Sequence, residues 1–345
     1  MRGDLFDGWV QLAGQFPPSL NKEEDPTRLK PFESPDCYGV DPDKDGRLKS
    51  GSVPSGTARS APTRTIGSTT YYWYYDRLWR LSATSQRLLC GIPSLDTVFL
   101  KQAGAGPLLA NSAIVTYLPC LQDAMLVVTA TGSHLANNVK DPRGFFELGP
   151  FLQEMYASTA SHVTVLDGIP FVCNAAGVFS YDGQTVKEWT RPVRDSVSPF
   201  ASTALTCVYP KKYVVGTSKF VIDTTNGKLF NFGTSGFRFT SRTLAVSEEY
   251  SPFMTQAIAF ILEHGDTTGG TISWQSKAED GNWYSEPDIN VRYTEGQYTR
   301  IETGIRNPTA MARRFAIRIT ALDSSLYIRD IVACVGGFTQ NSFAA

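Results

Sequence analysis

This 345-residue chain keeps almost no helical period. Apolar residues do not recur at three- and four-residue intervals over any long window, and only Pro150–Tyr156 and Asn21–Arg28 invite a helix. That excludes all-α and α/β architectures and leaves an all-β chain. Histidine is equally scarce. His134, His162 and His264 stand too far apart to define a metal or catalytic cluster. Neither sign of charge prevails, with 32 basic against 33 acidic residues, which argues against a dedicated nucleic-acid binder with a strongly basic surface.

Cys37, Cys90, Cys120, Cys173, Cys207 and Cys334 are far apart, and no two have ligand spacing. Most lie in apolar runs, so they read as buried free thiols of a reducing compartment. No apolar run is long enough to span a membrane, and Met1-Arg2-Gly3-Asp4 leads into no signal-like segment. A nucleophile elbow, a phosphate-binding glycine loop and paired-cysteine metal ligands are all missing. The expectation is therefore no enzyme, no cofactor and no metal. Asp41-Pro42-Asp43-Lys44-Asp45-Gly46 imitates the start of a calcium loop, but Ser52 stands where a bidentate glutamate is needed.

What the chain does have is hairpins. Val163–Trp189 reads as four short strands divided by Asp167-Gly168, Ala175–Gly177 and Asp182-Gly183. Asp-Gly between β-branched and aromatic runs is a strong hairpin signal, because the turn needs positive φ and glycine supplies it. Four antiparallel strands in under thirty residues make one propeller blade. Similar patterns recur at Tyr71–Ile92, Ala113–Val139 and Ala204–Gly233. Aligning Leu78/Trp79, Met125/Leu126, Pro170/Phe171 and Tyr213/Val214 gives a period of roughly 43–47 residues, that of a four-stranded blade. Thr63–Thr70 and Phe237–Val246 are candidates for a further blade. The resulting expectation is a small β-propeller over 66–246.

Residues 1–65 hold eight of the twenty prolines and few apolar clusters, which reads as an extended arm. Leu5, Phe6, Trp9, Phe16 and Leu20 are its candidate docking anchors, on its own propeller or a neighbouring subunit. Between Gly46 and Thr70 there is no acid, while Arg47, Lys49, Arg59 and Arg64 form a basic strip able to touch phosphates. From Phe253 to Phe338 strands such as QAIAFILE, GTISWQS and RRFAIRITA alternate apolar with polar residues, which predicts a β-sandwich or jelly-roll over 247–338, with 339–345 as a tail.

The first eighty residues carry an ordered set of short motifs: Pro18-Ser19-Leu20, Leu29-Lys30-Pro31, Glu33-Ser34-Pro35, Asp45-Gly46-Arg47-Leu48-Lys49-Ser50-Gly51 and Tyr75-Asp76-Arg77-Leu78-Trp79. In that order, ahead of a propeller, the set resembles the nozzle or hub proteins of short-tailed phage tails. The resemblance implies a structural virion protein assembled in the host cytoplasm. Its copies would close a ring, commonly a hexamer, below portal and adaptor and beside fibres, around a channel touched by genomic DNA. Arg47, Lys49, Arg59 and Arg64 would then face the DNA or an acidic neighbour. The alternative is a carbohydrate-binding or glycosidase-like propeller used in host-surface recognition. Tyr71–Tyr75 could stack on sugars, and carboxylates could converge from separate blades.

Overall fold

In the computed structural model, Val163–Trp189 forms the antiparallel strands Val163–Leu166, Ile169–Asn174, Gly177–Tyr181 and Val186–Glu188, paired in chain order. The turn after Leu166 places Asp167 at φ 51° and Gly168 at φ 83°. Two successive positive φ values match the right-handed twist of a two-residue hairpin, and they explain the Asp-Gly pair there. The structure describes residues 8–43, 46–56, 62–75, 77–81, 87–93, 106–139, 147–196, 201–217, 219–245, 253–264, 269–279, 281–292, 298–306 and 311–337.

The same meander recurs. Strands Ile114–Cys120, Ala124–Thr129, Ser133–Asn137 and Glu147–Leu152 make a second sheet. Thr63–Ile66, Thr69–Tyr74, Arg77–Leu81, Arg87–Pro93 and Gly106–Leu109 make a five-stranded one. Leu205–Val208, Tyr213–Gly216 and Phe220–Asp223 add three further strands in the same order. These sheets lie in one compact unit, Pro54–Thr225. The chain is all-β; the described residues hold no α-helix, only 3-10 turns at Ala160–His162 and Arg191–Ser196. Pro150–Tyr156 is the end of a strand and a turn, and Asn21–Arg28 is a run of turns and bends.

The tight turns at Tyr75, Leu121, Asp167 and Lys212 link successive sheets. Tyr75 donates its hydroxyl to the Ala124 carbonyl at 2.8 Å. Leu121 N–H reaches the Gly168 carbonyl at 2.9 Å, and Asp167 pairs with Lys212 at 3.0 Å. Tyr75, Leu121, Asp167 and Lys212 all take φ between 49° and 57°. Apolar side chains fill the space between sheets. Trp79, Met125 and Val127 pack with Tyr74 and Tyr117, and Leu126, Val128, Val172 and Met155 form the next cluster. Tyr72 and Tyr74 share one strand face, and each meets Tyr117 edge-on.

The other unit is discontinuous, made of Met1–Val53 and Asn226–Ala345. One sheet runs Gly8–Ala13, Leu326–Gly337, Phe253–His264, Tyr298–Gly304. A second runs Tyr284–Ser285, Gly269–Ala278, Arg314–Leu322, Arg238–Thr240, Cys37–Tyr38. Strand Gly269–Ala278 alternates strictly, with Ile272, Trp274, Ser276 and Ala278 buried. Trp274 meets Phe260 of the facing sheet edge-on at 5.7 Å. Two sheets joined by such inward residues form a sandwich core.

Of the expected arm, the described residues from Gly8 to Val53 are thus part of this core, and strand Thr63–Ile66 belongs to the other unit. Gly8–Ala13 pairs antiparallel with Leu326–Gly337, Ser19–Leu20 pairs parallel with Glu33–Ser34, and Leu48 bridges to Ile328. Its prolines interrupt long pairing, so these strands are short and find partners far along the chain. The candidate blade at Phe237–Val246 likewise lies here, as strands Arg238–Thr240 and Leu244–Ala245 beside Arg314–Leu322.

Where the chain leaves this unit and returns, Gly39 holds both crossings. Its N–H donates to the Asn231 carbonyl at 3.0 Å, and its carbonyl accepts from Gly51 N–H at 2.9 Å. Gly39 has φ 65°, and a Cβ there would lie 2.0 Å from the Gly236 carbonyl oxygen, so no other residue fits.

Candidate functional site

A cleft of about 550 Å³ in the 54–225 unit is lined by Ala130, Thr131, Gln153, Glu154, Tyr156, Ala176 and Phe179. Its lip is the turn that follows strand Glu147–Leu152, and buried polar groups hold that turn on both sides. Asn174, itself buried, donates Nδ2 to the Glu154 carbonyl at 2.8 Å and to the Tyr156 carbonyl at 3.2 Å. Its Oδ1 accepts from Ala176 N–H at 2.9 Å. Ser133 donates its hydroxyl to the Met155 carbonyl, and Ala157 N–H reaches the Thr129 carbonyl at 3.1 Å. Met155 is fully buried beneath the turn, so Gln153 and Glu154 are exposed on a fixed backbone.

Chemically the cleft combines the Phe179 ring with a phenol, a carboxylate, a carboxamide and a hydroxyl. His134 lies outside this lining. It packs on Phe151 at 5.0 Å, and burial holds its imidazole below the ordinary value, which favours the neutral form. Among the described residues no group of His, Cys, Asp and Glu could hold a metal ion. Burial pushes the Cys37 and Cys120 thiols up to about 12, which disfavours the reactive thiolate at both.

The residues singled out in the sequence fall elsewhere. Phe16 and Leu20 are buried in the sandwich unit, Phe16 edge-on to Phe239 at 5.5 Å. Trp9 is 40% exposed and lies under the Arg300 guanidinium at 4.1 Å. Arg47 pairs with Glu263 at 2.5 Å, and Lys49 lies over the Tyr327 ring at 5.0 Å. Arg64 sits on the exposed strand Thr63–Ile66 of the other unit. Arg47 and Lys49 therefore share one surface around Tyr327, and the basic strip is divided between units. Leu5, Phe6, Arg59 and the 339–345 tail lie outside the described residues. Glu154 and Tyr156 were not anticipated, because they fall in a segment whose spacing suggested a helix.

Neither the protein-family models nor the curated proteins contain a match to this chain. Among solved structures it is similar to an exo-β-1,3-galactanase from Phanerochaete chrysosporium with galactose, at 11% identity over 84% of this chain and 69% of that one, with a TM-score of 0.19. A protein titled glycoside hydrolase matches at 9% identity over 79% of this chain and 96% of that one, TM-score 0.23. The tryptic core of a Cry1Da variant from Bacillus thuringiensis matches at 14% over 80% and 50%, TM-score 0.20. TM-scores this low carry no argument about activity. With glycoside hydrolases among the similar structures, however, the expectation that the chain is not an enzyme is withdrawn.

Proposed function

We propose that this chain is a carbohydrate-active protein whose 54–225 unit is a small propeller-like ring of antiparallel sheets, taking a saccharide in the Glu154 cleft. The carrying observation is the fixed lip that brings Gln153, Glu154 and Tyr156 into one cleft with Phe179. A pyranose has an apolar C–H face and a rim of hydroxyls. An aromatic ring suits the face, and fixed amide, carboxylate and hydroxyl groups suit the rim. The linked turns and the inter-sheet apolar clusters support the ring. Glycoside cleavage needs a second carboxylate facing the same bond, so a hydrolysis assay belongs to the same test. Calorimetric titration against a panel of neutral oligosaccharides, with Glu154→Gln and Tyr156→Ala alongside, should find one class bound and both variants weakened at least tenfold. Silence across the panel, or binding indifferent to both variants, overturns the reading.

A phage-tail role remains a second proposal. The observation favouring it is that Pro18-Ser19-Leu20 and Glu33-Ser34-Pro35 of the motif set lie together as a parallel pair, with Ser34 donating its buried hydroxyl to the Thr240 carbonyl at 2.7 Å. Electron microscopy of the purified chain should show rings if it holds; a monodisperse monomer counts against it.

A further inference from the structure

The outward face of the sheet containing Arg314–Leu322 carries three cations on adjacent strands: Arg238, Arg318 and Lys277. The register sets Arg318 beside Thr240 on one side and Gln275 on the other. Aromatic rings back these cations. Arg238 lies 5.2 Å from the Tyr38 centroid, Arg318 4.1 Å and Lys277 5.9 Å from that of Trp283.

Among the described residues Asp36 is the carboxylate that meets both guanidinium groups, and it does so thinly, while Arg318 Nε donates to the Thr240 hydroxyl at 3.1 Å. A single oxygen, Oδ2, meets Arg238 Nη1 at 3.3 Å and Arg318 Nη2 at 3.5 Å. Good charge-assisted contacts run about 2.7–2.9 Å and are often bidentate for arginine. Arg238 Nε is buried and finds no hydrogen-bond partner among the described residues. Burial, then the neighbouring Arg238 charge, pulls the Arg318 guanidinium below its ordinary value despite Asp36. Two crowded guanidinium groups sharing one carboxylate oxygen leave donors unused and like charges uncompensated. A ligand bringing further planar anions would relieve both.

We propose that this face binds an acidic polysaccharide, with uronate carboxylates seated at Arg238 and Arg318. The uronate carboxylate is planar and matches the guanidinium fork. The register staggers the three cations two residues along for each strand crossed, so Arg238, Arg318 and Lys277 form a diagonal line of positive charge that an extended polyanion follows. Phosphate on a single nucleic-acid strand is the competing anion, but the Tyr38 and Trp283 rings already carry cations, which disfavours base stacking. The site lies in the discontinuous unit and shares no residue with the Glu154 cleft.

Affinity electrophoresis of the full chain in gels holding polygalacturonate, neutral dextran or no polymer, with oligothymidylate as competitor, decides it. Retardation by polygalacturonate alone is expected, weakened at least tenfold in Arg238→Gln/Arg318→Gln and about two- to threefold in Lys277→Gln. Asp36→Asn removes the internal competitor and should tighten binding several-fold, a rise that loss of folding cannot mimic. Equal retardation by dextran, no response to the double variant, or weaker binding by Asp36→Asn overturns the proposal. Arginine-dependent displacement by oligothymidylate at lower concentration than polygalacturonate overturns the polysaccharide and assigns the face to nucleic acid.

Discussion

The two units solve the same problem, burying β-sheets, with opposite chain logic. In the 54–225 unit each strand pairs with its neighbour in sequence, as Val163–Leu166 does with Ile169–Asn174 across a two-residue turn. In the other unit the first described strand pairs with the last, and Gln11 bonds Asp330 across 319 residues. Local pairing lets one unit stand alone as an insertion. Long-range pairing makes the other depend on both ends of the chain.

The sharpest way to break that comparison is truncation. Removing residues 1–53 deletes an edge strand together with the buried Leu12, Phe16, Leu20 and Leu48. Each such core loss costs about 2–5 kcal/mol, so the four together, about 8–20 kcal/mol, are comparable to or larger than the roughly 5–15 kcal/mol that holds a domain. Calorimetry should show the sandwich transition gone and the 54–225 transition intact; loss of both would show that the units are not separable. The converse sharpens it. Joining Val53 to Asn226 with a short Gly-Ser linker should leave a folded sandwich, because Gly39 already holds the two crossings together. An unfolded circular dichroism spectrum would refute this.

Smaller effects should stay within one unit. Trp274→Ala and Trp79→Ala each remove a fully buried indole at about 3–5 kcal/mol. Urea melts should show the first lowering only the sandwich transition and the second only the other. At Gly168→Ala the φ of 83° stays and the Cβ meets Leu121 N in ordinary contact at 3.8 Å, so only backbone strain of about 1 kcal/mol is expected. Smallest is the acid response. Burial lowers the folded-state values of His134 and His162, so the unfolded chain takes the proton first. The stability they contribute is complete above 6.5 and declines as pH falls through that value. Melting temperatures from pH 8 to 5 should fall at the acid end for the 54–225 unit, and His134→Phe should flatten part of the fall.

The same contrast explains what could be read from residues alone. Strands at Val163–Glu188, and the turns at Tyr75, Leu121, Asp167 and Lys212, announce themselves through short-range chemistry: positive-φ residues between β-branched runs. Residues 8–53 pass for an arm because their partners, Cys334 for Trp9 and Phe239 for Cys37, leave no mark nearby. Trp274 and Trp283 flank the same turn, and nothing in their spacing separates them, yet one faces the core and the other lies under Arg318. The cleft was hidden for a related reason. Its lip is shaped by Asn174 and Ser133, each about twenty residues away, which hold Glu154–Met155 in a turn where spacing alone offers a helix.

The pairing of Gly8–Ala13 with Leu326–Gly337 also sets an order of events during synthesis. The opening strand leaves the ribosome long before its mate, whereas the inserted sheets can mature as they emerge. Until Leu326–Gly337 is made, an early edge must wait uncovered. A product halted short of that strand would carry an open sandwich edge, with unpaired backbone groups along it.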